Sequence, residues 1–147
     1  MLVVDFGFLD IIGRIEVINY LQRRPKVQRT VAMNVRELTS PKRIAVLQFD
    51  GMLDDLTTPQ IEEPITNMIQ NDRRKDFIAD CLKLNYFNST GLARLMHYAL
   101  KLKDDNGTFK FVVNPSEFIY EIMDVCGAVK VLQIYKNVDE AIESYRK

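Results

Sequence analysis

Leu84-Asn85-Tyr86-Phe87-Asn88-Ser89-Thr90-Gly91-Leu92 is the stretch that decides the fold: an apolar strand pattern runs to Phe87, breaks at small polar residues, and passes into helical spacing at Leu92. This places Ser89 at the mouth of a helix. The first backbone N–H groups of a helix lack intrahelical partners and the macrodipole is positive there, so the position suits an anion, a phosphate included. Three roles are open to Ser89: nucleophile, phosphoacceptor or helix cap. The general preference for Ser and Thr at caps favours the last on local grounds.

Upstream, Phe77 to Leu84 is short, mostly apolar and bounded by charge, as an interior strand would be, although Asp80 and Lys83 interrupt it. Thr57-Thr58-Pro59-Gln60 opens a helix, either as a capping box of Thr57 with Gln60 or as Thr58 followed by Pro at the first turn. Ile61, Ile65, Met68 and Ile69 continue it, with Pro64 expected to remove one backbone bond and kink it. Met33–Leu38 and Ile44–Phe49, separated by Ser40-Pro41, read as a hairpin.

Downstream, Leu92, Leu95, Met96, Ala99 and Leu100 form one apolar helical face, and Gly107 ends the helix. Thr108 to Val113 reads as a strand, and Phe118, Ile119, Ile122, Met123 and Cys126 give a helix stopped by Gly127 in the left-handed conformation. Val129 to Tyr135 reads as a further strand, and Asn137 with Glu140 as a capping box before a short helix through Ala141, Ile142 and Tyr145. Strands alternating with helices from residue 44 predict an α/β fold: helices packed on a mixed, largely parallel sheet with an antiparallel N-terminal pair. Useful loops in such sheets lie beyond the carboxyl ends of parallel strands, so Asp50–Thr58 and Tyr86–Gly91 are expected to share one edge.

With 147 residues, the chain suits one domain with a substantial core. Lys plus Arg and Asp plus Glu both number 20, so no net field favours nucleic acid or an anionic membrane. The basic group Arg23, Arg24, Lys26 and Arg29 reads as a solvated loop, and Asp5, Asp10, Arg14 and Glu16 break the apolar N-terminal run too often for a membrane span or signal peptide. Cys81 and Cys126 lie in apolar patterns without metal-ligand spacing, which reads as reduced core cysteines in a cytoplasmic protein.

Catalytic signatures are missing. There is no G-x-S-x-G elbow and no phosphate-binding glycine loop. His97, the single histidine, lies about 12 Å along the helix axis from Ser89 and cannot serve as its base. A histidine-rich metal site is excluded as well, and neither metal nor cofactor is expected. Of the paired carboxylates, Glu62-Glu63 reads as a solvated helix face, whereas Asp54-Asp55 is either a recognition surface or turn chemistry. Phe109, Phe111, Phe118, Tyr120 and Tyr135 lack an accompanying positive patch and read as core rather than as a base-stacking platform.

Taken in order, Gly51-Met52-Leu53-Asp54, Thr57, Asn88-Ser89-Thr90-Gly91-Leu92, Val113-Asn114-Pro115-Ser116, Gly127 and Asp139-Glu140-Ala141-Ile142 resemble the anti-sigma factor antagonist family, the STAS domain. The likeness covers about residues 33 to 145, giving a STAS domain over 33–147 and an N-terminal extension over 1–32 that is either an added element or sequence upstream of the true start. The resemblance implies a non-catalytic bacterial regulator of sigma-factor-dependent transcription. It binds an anti-sigma factor that is also a serine kinase, loses that partner when phosphorylated at Ser89, and is reset by a phosphatase. It further implies a partner surface of Asp54, Asp55, Thr57, Asn88, Ser89, Thr90 and Gly91, with Thr90 a second possible acceptor. The motif's acidic residue is here Asn88, an amide in place of a charge. Two other readings stay open: a STAS module of another signalling or lipid-transport assembly without phosphorylation, and a small-ligand or nucleotide sensor. Apolar residues of the extension would need burial against the sheet edge or in a homodimer.

Overall fold

The computed structural model describes residues 30–146. Residues 1–29 of the N-terminal extension, with its basic group and apolar run, lie outside this range, whereas its Val31 and Ala32 already belong to the first strand. Five strands run β1 (Val31–Leu38), β2 (Ile44–Leu53), β3 (Asp76–Phe87), β4 (Thr108–Val112) and β5 (Ile134–Tyr135). Between and after them come α1 (Pro59–Gln70), α2 (Ser89–Asp104), α3 (Phe118–Val125) and α4 (Val138–Glu143). The strands lie side by side in sequence order, β1 antiparallel to β2 and all other neighbours parallel. This is the mixed α/β architecture that the alternation of patterns predicts.

Strand alternation sorts the core into two faces. Odd-numbered Ala45, Leu47 and Phe49 of β2, Phe77, Ala79 and Cys81 of β3, and Phe109 and Phe111 of β4 pack with Ile61 and Ile65 of α1, Leu92 and Leu95 of α2, and Ile119 and Met123 of α3. Even-numbered Ile44, Val46, Ile78 and Val112 turn the other way, onto Ala141 of α4. Among the described residues three helices therefore cover one face and a single short one the other. Polar contacts fasten that second layer. Lys110 lies 3.9 Å from the Tyr145 ring centroid and donates from Nζ to Ser144 Oγ at 2.7 Å, while the Tyr145 hydroxyl meets Thr108 Oγ1 and donates to the Phe77 carbonyl. Burial pushes the phenol of Tyr145 upward, as it does the thiol of Cys81 on the opposite face.

The structure corrects several local expectations. β5 has only two residues where Val129–Tyr135 was expected, because Gly127 at φ 80 turns the chain into a 3-10 turn over Ala128–Lys130. The Ala128 carbonyl accepts from both Val131 and Leu132 there, so the backbone is satisfied locally and not by β4. On α2 the buried stripe runs through Tyr98 and Leu102, and Leu100 is exposed. The left-handed residue that closes α2 is Asn106, one place before Gly107. Cys126 is exposed, since α3 ends before it, and Phe118 at the start of α3 is exposed as well. Pro64 does not interrupt α1; it is exposed in the second turn.

Candidate functional site

β2 and β3 end level with one another: Leu53 pairs with Phe87, the last residue of each strand. Two register shifts in β3 opposite Gln48–Asp50 and Gly51–Met52 bring this about. The loops that follow, with the N-termini of α1 and α2, thus rise from adjacent strands at the edge where the sequence places them.

The first loop is held by its own side chains. Asp54 Oδ1 accepts from the N–H groups of Leu56 at 2.9 Å and Thr57 at 3.0 Å, and Thr57 Oγ1 accepts from the Asp54 N–H at 2.9 Å while donating to the Met52 carbonyl at 2.7 Å. Thr58 donates to the Asp54 carbonyl. Neither threonine therefore caps α1 with its side chain, although Pro59 does take the first helical position. The carbonyls left over at the end of β2 are closer customers for the hydroxyls than the helix is. Asp54 is 2% exposed and Thr57 fully buried, so both shape the loop and neither presents itself at the surface. Asp55 and Leu56 are exposed, Leu56 as a protruding apolar side chain.

Asn88, not Ser89, caps the second helix. Its extended backbone at φ −105 precedes α2, and its Oδ1 accepts from the Gly91 N–H at 3.0 Å. The other half of the same amide donates from Nδ2 to Asp55 Oδ1 at 3.2 Å, and the Asn88 N–H reaches the Leu53 carbonyl at 3.2 Å. One side chain thus caps a helix and ties the two loops together. An aspartate could do the first but not the second, since its oxygen would oppose the Asp55 carboxylate. Replacing Asn88 with Ala is expected to cost about 1–2 kcal/mol, read by thermal denaturation. Asn88→Asp keeps the cap but pairs two carboxylates, and is expected to cost about 1 kcal/mol near neutral pH. Salt screens repulsion between exposed carboxylates, so this deficit should shrink at high ionic strength. A deficit unchanged by salt would contradict the contact.

With the cap assigned to Asn88, Ser89 is the first residue of α2, and it is exposed along with Thr90. Gly91 is buried against Leu53. Ser89 and Thr90 open onto a groove of about 740 Å³ between α1 and α2, whose other walls include Asp55, Thr58, Glu62, Arg94 and His97. Arg94 Nε donates to Glu62 Oε1 at 2.8 Å across it, with both side chains partly exposed. Below them Tyr98 is buried; desolvation raises its phenol, the Glu62 charge adds to the shift, and Arg94 opposes it.

The sequence-derived site residues thus share one edge in two tiers, Asp54, Thr57 and Gly91 beneath and Asp55, Asn88, Ser89 and Thr90 at the rim. Sequence reasoning missed Arg94 and the half-buried Glu62. The four-residue step from Thr90 to Arg94 was the available signal, because residues so spaced share a helical face. Among the described residues no group of three or more His, Cys, Asp or Glu is arranged to hold a metal ion, and no helix is long and apolar enough to cross a membrane.

Residues 36–141 match the family model of the STAS domain. The anti-sigma-B factor antagonist of Staphylococcus aureus (strain NCTC 8325 / PS 47) is 25% identical over 103 residues, covering 70% of this chain and 94% of the relative. Among solved structures, an anti-sigma factor antagonist from Mycobacterium paratuberculosis has a TM-score of 0.71 at 20% identity, covering 83% of this chain and 99% of that one. The Bacillus cell fate determinant SpoIIAA in its phosphorylated form has a TM-score of 0.60 at 21% identity, over 78% of this chain and 100% of that one. Because the family match spans most of the length and takes in both loops of the site, the chain belongs to the STAS domain family.

Proposed function

We propose that this protein is an anti-sigma factor antagonist: it binds an anti-sigma factor with serine kinase activity through the rim at Asp55, Asn88, Ser89 and Thr90, and phosphorylation of Ser89 ends the complex. The observation that carries this reading is the exposed Ser89 hydroxyl at the first position of α2, with the capping role already filled by Asn88. Such a hydroxyl is available to a kinase without undoing the helix. Leu56, exposed on the neighbouring loop, adds an apolar contact of the kind protein interfaces use at their centres. The names of the curated relatives point the same way.

In the reaction, Ser89 Oγ attacks the γ-phosphorus of ATP, the bond from that phosphorus to the β,γ-bridging oxygen breaks, ADP leaves, and the hydroxyl proton passes to a base of the kinase. The new group carries about −1.5 to −2 charges at neutral pH. It sits at a helix N-terminus, which tolerates it, while a partner packed against a neutral hydroxyl does not. The protein acts by binding, in the cytoplasm, and a phosphatase restores the active form.

Incubation with the cognate kinase and ATP, followed by intact-mass measurement, tests this. One phosphate is expected on the wild type and none on Ser89→Ala; a phosphate that persists on Ser89→Ala and disappears in Thr90→Val would move the site to Thr90. A protein that takes no phosphate and binds no kinase would overturn the proposal.

A further inference from the structure

The groove beside Ser89 contains a charge pair whose geometry suits it to respond to the modification. We infer that Arg94 is the internal receiver of the Ser89 phosphate, exchanging Glu62 on α1 for the phosphate on its own helix, so that modification breaks the ion pair joining α1 to α2. The inference rests on the phosphorylation proposed above and concerns what the phosphate does once attached.

The geometry supports this in three ways. Arg94 and Ser89 line the same groove. Arg94 lies five residues after Ser89, about 7.5 Å along the axis and roughly 140° around it, so the two do not share a helical face; the contact is reached through the groove, because both side chains are long once Ser89 carries phosphate and helical side chains lean toward the N-terminus. Glu62, its present partner, reaches it from the side across the groove.

The energetics favour exchange. Arg94 and Glu62 are 42% and 38% exposed, a class of ion pair that solvent and salt leave weak. A phosphate dianion brings roughly twice the charge and three acceptor oxygens to which a guanidinium can bond in a bidentate manner. Asp55, Glu62, Arg94 and His97 are the ionisable groups lining the groove. Among the described residues Arg94 is thus the one fixed cation there, facing two carboxylates. After exchange Glu62 is released beside Asp55 and the phosphate, and the mouth changes from weakly to strongly anionic. The modification then alters the surface of α1 as well as that of α2, which enlarges the area a partner senses.

The test uses the full chain with phosphoserine installed at position 89 during translation, so that it does not depend on a kinase, and follows the second ionisation of the phosphate by 31P NMR. Arg94→Gln is expected to raise the phosphate's proton affinity about threefold, and Glu62→Gln to lower it about twofold. The effect of Glu62→Gln should largely vanish in the Arg94→Gln background, because the two residues act through one contact. Equal ionisation in wild type and Arg94→Gln would overturn the inference. So would a Glu62→Gln effect that persists undiminished without Arg94, since that is a long-range field and not an exchange. Either failure leaves the kinase experiment untouched, and failure to be phosphorylated leaves this measurement intact.

Discussion

Gly91→Ala is expected to destabilise the protein by about 3 kcal/mol, a drop of roughly 10 °C in melting temperature for a chain of this size. A Cβ built at this position would stand 2.5 Å from the Leu53 carbonyl oxygen and 3.1 Å from both the Leu53 carbonyl carbon and Cγ. No rotamer relieves contact with backbone. The same carbonyl accepts from the Asn88 N–H at 3.2 Å, so a helix pushed away from Leu53 strains the bond that seats it. The Asn88 to Asp55 contact at 3.2 Å also lies in the path of that shift. Glycine is needed here because α2 begins almost against the end of β2. Circular dichroism melting of the variant checks the effect, and a loss below about 1 kcal/mol would mean that the first turn of α2 yields more easily than its contacts suggest.

Phosphate at Ser89 is expected to weaken binding to the anti-sigma factor at least 100-fold, about 2.7 kcal/mol. Ser89 is exposed at the rim, so a partner that covers it must desolvate whatever it carries. Removing a phosphate dianion from water costs several kcal/mol, whereas a neutral hydroxyl costs far less. Ser89→Ala should accordingly stay within about threefold of the wild type, because neither the cap nor the loop bonds use this hydroxyl. Titration calorimetry of the three forms separates the contributions. Unchanged affinity of the phosphorylated form would place the partner's footprint elsewhere on the molecule.

Much of this edge is legible in the sequence, for reasons that differ from residue to residue. Phe87 ends an apolar strand and Leu92 opens a helical stripe, so the turn between them follows from periodicity alone. Gly127 and Asn137 are similarly local, and the structure finds a left-handed glycine and a capping amide, with Asn137 Oδ1 accepting from the Glu140 N–H at 2.8 Å. What sequence cannot rank is competition among equivalent groups. Asn88 and Ser89 are both good caps, and the choice falls to Asn88 because its second amide group has Asp55 to bond. Thr57 and Thr58 resemble caps but are drawn to carbonyls at the end of β2. Asp54 and Asp55 look alike in the chain, yet one is buried under the loop and the other stands at the rim. Arg94 and Glu62 are 32 positions apart on different helices, and no local pattern encodes their pairing.

The uneven pairing of β2 with β3 bears on which insertions and deletions this edge can absorb. From Gln48 to Leu53 the chain takes five steps, and from Asp80 to Phe87, opposite, it takes seven. At about 3.3 Å per residue, a regular β3 of this length would overshoot Leu53 by some 6.6 Å and carry Asn88 past Asp55. The two surplus residues are taken up as separate irregularities, and because they number two, the side of the sheet that Phe87 faces is preserved. Losing one residue between Cys81 and Tyr86 would either turn Phe87 to the opposite side or erase one irregularity at the expense of the other's phase. The height of Ser89 above the sheet is therefore set by counting, and length changes in this segment should be tolerated in pairs, not singly.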